Sequence, residues 1–333
     1  MHSLNNVLDC TRYQNALNDL KAELPAVPRR HLPEFFAIAT RLSLALPAEL
    51  REAIAEFRLR GNDEGFLYLR GLPIDEDALP ATPESYPAPA DRELLDMEAW
   101  ITLFGMLLGK ATGYAENRAG SVFQDVYPAP DAHHMTAHNY DTDLRYHTEM
   151  GYHREQPHYL AIACSRADHE HVAKTLVASV RKAVRLLSEE HRHTLRTIPL
   201  PWHVDLAFRS EADPDPMTRL LLLSENDDVL RYDRGLIVPS ETGEAAEALQ
   251  AFSAAIDEVA AAVYLKPGDL ILVDNFRTAH ARTPFRPKFD GTDRWLNRIF
   301  LFCPTPELPI QNADVVRFRL RAADNPARSP VPA

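Results

Sequence analysis

His147 and Glu149 stand two apart in the segment Tyr-His-Thr-Glu at 146–149. On an extended strand, residues i and i+2 project to the same face, so this pair offers an imidazole and a carboxylate to one point without any special turn. A third donor is His280 in Thr-Ala-His (278–280), just after the apolar β-type run 269–274 that would end at the same place. Two neutral nitrogens and one carboxylate on one face of an octahedron leave three positions open, the arrangement of Fe(II) oxygenases. A structural zinc site would have closed that space. The His-x-Glu pair carries little weight by itself, because fourteen histidines in 333 residues make such matches common.

Two arginines in Asp-Arg-Trp-Leu-Asn-Arg (293–298) add to the set. If 294–300 is a strand, Arg294, Leu296, Arg298 and Phe300 share one face, and Trp295, Asn297 and Ile299 share the other. Burying a guanidinium costs several kcal/mol unless an anion meets it, and the planar fork suits a carboxylate in bidentate geometry. Two inward arginines therefore ask for two carboxylates. One would be the distal carboxylate of 2-oxoglutarate, the other the α-carboxylate of an amino-acid substrate. Internal pairing with Asp269, Asp274 or Asp293 is the structural alternative.

From about 65 to 303 the sequence resembles the clavaminate synthase-like branch of the Fe(II)/2-oxoglutarate oxygenases. That branch includes hydroxylases of free arginine, lysine and asparagine and falls within the taurine dioxygenase superfamily. Gly-Phe-Leu-Tyr-Leu-Arg-Gly-Leu-Pro (65–73) is an early match, and the first sixty residues are least covered. The resemblance implies that His147, Glu149 and His280 hold iron, with 2-oxoglutarate and O2 as cosubstrates. Arg294, fourteen residues after the distal histidine, would bind the far carboxylate of 2-oxoglutarate. Thr175, following Arg166-Ala-Asp168, would assist it. Arg298 would take the substrate α-carboxylate, Gln124 in Val-Phe-Gln-Asp-Val (122–126) the α-amino group, and Asp233 in Leu-Arg-Tyr-Asp (230–233) a cationic side chain. Glu149 stands where the halogenating relatives carry Gly or Ala, which favours hydroxylation over chlorination. A single acid at Asp233 suits an ammonium better than a guanidinium, so lysine is expected ahead of arginine.

The other classes left open are a hydroxylase or desaturase of another free or carrier-bound amino acid, a zinc or manganese cupin-like hydrolase or isomerase, and a non-catalytic sandwich binding protein. The hydrolase or isomerase would have no need for Arg294 and Thr175, and failure to bind one equivalent of iron or zinc would favour the binding protein. His133, His134, His138, His153 and His158 crowd the motif, and His153 is the one that competes with His147 as a ligand. Asp125 and Asp141 are further acids that could orient the site.

A net charge of −12 and a pI near 5.6 argue against nucleic acid as a partner. No apolar run reaches the ~18 residues needed to span a membrane. The amino terminus lacks a basic segment followed by an apolar core, so a cytoplasmic location is expected. Three widely spaced cysteines, Cys10, Cys164 and Cys303, indicate neither a disulfide framework nor a zinc knuckle.

Positioning these residues needs strands, and β-type runs occur at 65–70, 122–126, 158–164, 199–208, 217–223, 229–238, 269–273 and 294–303. Helical periodicity occurs at 31–60, 91–108 and 242–262. Many short strands with turn residues between them indicate a sandwich or jelly roll, which the resemblance narrows to a double-stranded β-helix flanked by helices. One oxygenase domain over 1–333 is expected: a helical segment to 64, a core at 65–303 with a lid at about 209–235, and a loose tail at 322–333.

Overall fold

The computed structural model describes residues 6–88, 92–117, 120–132, 138–153, 155–205, 215–227, 229–303 and the backbone of 315–316. The expected tail, part of the expected lid, and His133 and His134 lie outside the described residues. The protein is mainly β with helices around it.

The larger sheet runs in the order Val7–Asp9, Phe66–Arg70, Leu270–Asp274, Tyr159–Arg166, Trp295–Phe302, Lys110–Ala111, with Gln124–Val126 also paired to Trp295–Phe302. The smaller sheet runs Ala261–Val263, Thr175–Ser179, Thr278–Arg282, Leu144–His147. Alternation along the larger sheet's strands feeds two cores. Ile271, Val273, Phe300 and Phe302 enter one cluster with the smaller sheet and the Glu244–Val259 helix. Leu270, Leu272, Ile299 and Leu301 enter another with Phe35, Trp100 and Phe104 from the amino-terminal helices. Burial on both faces explains why 270–273 reads as an unbroken apolar run.

Three expectations change. The helical stretch 31–60 is two helices, Leu32–Ser43 and Ala48–Arg60, separated at Pro47, which cannot continue a helix from the preceding turn. The run 229–238 makes only isolated bridges at Leu230, Asp233 and Ile237. Asp233 Oδ1 accepts from the amides of Gly235 and Leu236, and this side-chain turn interrupts the ladder. Finally, His280 is not at the end of the 270–274 strand. The chain reverses at 275–277 and His280 sits inside the Thr278–Arg282 strand of the other sheet. Among the described residues no helix is long and apolar enough to cross a membrane.

Candidate metal centre and anion pocket

His147 ends one strand and His280 lies directly across from it in the antiparallel register. Glu149, two residues beyond the strand, swings back so that its Oε2 lies 3.8 Å from His147 Nε2 and 3.7 Å from His280 Nε2. One donor atom from each residue lies within 4.8 Å of the others. His147 Nδ1 lies 2.8 Å from the Arg145 carbonyl, which can only accept. The proton is therefore on Nδ1 and the lone pair of Nε2 points at the cluster.

Glu149 has left the ladder, and a side chain replaces its strand neighbour. Fully buried Asn275 accepts from the Glu149 amide at 2.8 Å and donates to the Glu149 carbonyl at 3.0 Å and the Pro157 carbonyl at 2.8 Å. On the other side, the Thr148 amide donates to Tyr232 O at 2.6 Å. Burial works against the Glu149 carboxylate, yet Arg298 and the two histidines outweigh it and hold the carboxyl well below its usual range. Burial and the charge of His147 push His280 down to about 4. His147 goes the other way, since Glu149 and Asp233 overcome the effect of burial.

Arg298 on the Trp295–Phe302 strand and Arg294, the residue just before it, come in from the larger sheet. Arg298 Nη1 donates to Glu149 Oε2 at 2.7 Å, and its Nη2 and Nε donate to Gln124 Oε1 at 2.7 and 3.2 Å. Arg298 and Gln124 are thus one unit, paired across the Gln124–Val126 strand. Arg294 is 5% exposed, and no hydrogen-bond or ion-pair partner for its guanidinium exists among the described residues. Burial lowers its pKa. The three acids that could have paired with it are engaged elsewhere: Asp269 with Tyr68, Asp274 with Arg277, and Asp293 with His169 and the amides of Lys288 and Phe289. Phe285 carries the Arg294 guanidinium at 5.5 Å from its ring centroid. An uncompensated buried cation is costly unless an anion comes to it, so the pocket is built for a carboxylate or similar group.

Thr175 begins its strand opposite Arg282, whose charge reaches Arg294. The intervening turn is fixed by Asp168, whose carboxylate accepts from the amides of Val172 and Ala173. Arg166 donates to Thr82 Oγ1, which in turn donates to Asp293 O beside Arg294.

Asp233 is bridged to His147 through the backbone, and burial pushes its carboxyl above the usual range. It is not the single acid of its region: Asp205, just past the Leu200–His203 strand, acts on Asp233 and on Tyr152. The two acids come from different segments, which hid their proximity in the sequence. His153 is buried and accepts from the Glu155 amide, outside the three-residue cluster. Asp125 accepts from Arg92, Trp295 and Asn297 behind the strand that carries Arg298. Asp141 is exposed. Sequence reasoning missed Asn275, Arg282, Phe285 and Asp205. Arg282 carried a usable signal, because it is two residues from His280 on the same strand face.

The donor set fits a divalent iron with open positions, and the unpartnered guanidinium fits the far end of a dicarboxylate. The comparisons agree. Residues 28–300 match the taurine catabolism dioxygenase TauD, TfdA family. The chain is 48% identical over 299 residues to clavaminate synthase 2 of Streptomyces clavuligerus, covering 89% of this chain and 91% of that one. It is 33% identical over 306 residues to the L-asparagine oxygenase of Streptomyces coelicolor, covering 87% and 90%. A crystal structure of asparagine oxygenase with Fe(II), 2S,3S-3-hydroxyasparagine and succinate superposes with a TM-score of 0.83 at 29% identity, covering 94% of this chain and 99% of the other. The chain belongs to the TauD/TfdA family and is a non-haem iron dioxygenase working with Fe(II), 2-oxoglutarate and O2.

Proposed function

We propose that this dioxygenase oxidises an sp³ carbon of a small amino-acid-type substrate that bears a carboxylate at one end and an amine at the other. The observation that carries this reading is the pairing of opposite charges at the centre: Arg298 donates to Glu149 and Gln124, while Asp233 is bridged to His147 through the backbone and feels the charge of Asp205. His147, Glu149 and His280 would hold the iron. When bound, iron with 2-oxoglutarate and O2 supplies the oxidising power that replaces C–H by C–OH, releasing succinate and CO2. Arg294 anchors the far carboxylate of 2-oxoglutarate, assisted by Thr175, which is paired across the sheet with Arg282. Arg298 receives the substrate carboxylate, which competes for donors now held by Glu149 and Gln124. Asp233 receives the amine through Oδ2, since Oδ1 is committed to its turn. Fixing both ends selects the carbon that faces the metal, because an error of about 1 Å costs on the order of a hundredfold in rate.

The amine-binding side does not single out lysine, because Asp205 joins Asp233. A guanidinium is served by two acids as well as an ammonium is. The identity to clavaminate synthase 2 favours a second reading in which that enzyme's substrate is turned over best. Succinate release in air, measured with mass spectrometry for oxygenated products, separates them over a panel of lysine, arginine, ornithine, asparagine and the substrate of clavaminate synthase 2. Turnover of a member with a cationic side chain or distal amine is expected; stimulation by amino acids with neutral side chains alone would remove Asp233 from the site. Asp233→Ala should raise the substrate KM by about tenfold or more while leaving 2-oxoglutarate affinity unchanged.

A further inference from the structure

Two guanidinium groups lie against one phenyl ring. Arg282 Cζ is 5.2 Å and Arg294 Cζ 5.5 Å from the centroid of Phe285, and the two residues are 7% and 5% exposed. Among the described residues neither has an acid within ion-pair distance. Arg282 spends its donors on main-chain carbonyls: Nη2 on Asn139 and Thr142 at 2.9 and 3.3 Å, Nη1 on Thr283 and Tyr140 at 3.2 and 3.4 Å. Carbonyls satisfy N–H groups without cancelling the charge. Asp141 and Asp143 are exposed to solvent, which weakens their effect on the buried cation. Arg282 and Arg294 are thus two like charges held against one ring.

Holding two uncompensated cations side by side is unfavourable in the free protein and becomes favourable when an anion arrives. We propose that Arg282 is a specificity-determining cation of this pocket. Acting through space rather than by contact, it favours a dicarboxylate 2-oxo acid over a monocarboxylate one, and its strand sets it beside the metal site through His280. The proposal rests on Arg294 being the anchor for the far carboxylate. Its location explains how one strand can couple the two functions: Thr278–Arg282 carries a candidate iron ligand and, on the same face, the charge that recruits the cosubstrate.

The test is anaerobic calorimetric titration of the iron(II)-loaded protein with 2-oxoglutarate and, separately, 2-oxobutyrate. Wild type is compared with Arg282→Gln, Arg282→Lys and Arg294→Gln, with thermal melts and iron affinity as controls. Arg282→Gln is expected to weaken 2-oxoglutarate binding by about tenfold or more while 2-oxobutyrate changes by less than about threefold. Arg282→Lys, which keeps the charge and loses the fork on the carbonyls, is expected to stay within about threefold of wild type for both acids. A folded Arg282→Gln with wild-type affinity for 2-oxoglutarate overturns the proposal. So does an equal loss in the glutamine and lysine variants, which would reduce Arg282 to a tie for the 139–142 loop. Should the glutamine variant not fold, the lysine variant decides: retained affinity supports the charge, and a loss of about tenfold with unchanged iron binding refutes it. Unaltered 2-oxoglutarate binding in Arg294→Gln would instead defeat the cosubstrate reading on which this one stands.

Discussion

Asn275 grips Glu149 by both of its main-chain polar groups, doing for one residue what a neighbouring strand does for a ladder. The carboxylate that has to face two histidines is therefore aimed by an amide five positions before His280. Replacing it should disturb the centre before it disturbs the fold. Asn275→Ala is expected to lower iron(II) affinity by about 10- to 100-fold in a competition titration against a chelator. Unchanged affinity, with any loss confined to the melting temperature, would make Asn275 a structural residue only. The ligands themselves were legible in the sequence because period-two spacing converts directly into a shared face, as it does for Arg294 and Arg298. Asn275 was not legible, since its partners lie 126 and 118 positions away and asparagine before a turn has many ordinary uses. Asp205 escaped for the same reason, meeting Asp233 only after the chain has folded.

The Trp295–Phe302 strand is braced from behind by a buried charge network. Glu98 on the Asp96–Gly105 helix accepts from Arg92 in a bidentate pair at 2.7 Å and from Arg29 at 2.7 Å. Arg92 also reaches Asp125, whose Oδ1 accepts from Trp295 and Asn297. The helical layer thus grips the outer face of the strand whose inner face carries Arg298 and whose start is preceded by Arg294. Glu98→Gln leaves two arginines facing a neutral amide and should cost about 3–5 kcal/mol in denaturant unfolding at neutral pH. The arginines hold the Glu98 carboxyl below 4.5 against the effect of burial. Its contribution is therefore complete above that value and is lost as pH falls through the lowered folded pKa, so the gap between wild type and Glu98→Gln should narrow in acid. A gap that stays constant down to pH 3 would contradict the assignment. Strands buried on both faces, such as Leu270–Asp274, could be read from their apolar runs. The Thr278–Arg282 strand could not, because its Thr-Ala-His-Ala-Arg sequence is low in β-branched and large apolar residues, and pairing on both sides makes it a strand.

At the scale of the molecule, the centre is where the two sheets meet. The histidines come from the smaller sheet and the arginines from the larger, joined by the contact of Arg298 with Glu149. Metal held there should fasten the 144–149 segment to the Thr278–Arg282 strand. A melting scan with iron(II) or zinc(II) at a hundred times its Kd is expected to lie about 4 °C above the same protein in a strong chelator, since such a ligand adds about 2.7 kcal/mol. Coincident melts would mean that no specific site forms. The fold class was readable from the rhythm of short strands, while the second acid and the brace behind the arginines required the assembled layers. The central claim is geometric, and a crystal structure grown without oxygen from protein, iron(II) and 2-oxoglutarate tests it most directly. The account predicts metal on His147 Nε2, Glu149 and His280 Nε2, with the far carboxylate of 2-oxoglutarate on Arg294; metal at the other possible cluster, His169, Asp290 and Asp293, or a cosubstrate carboxylate that leaves Arg294 bare, would contradict it.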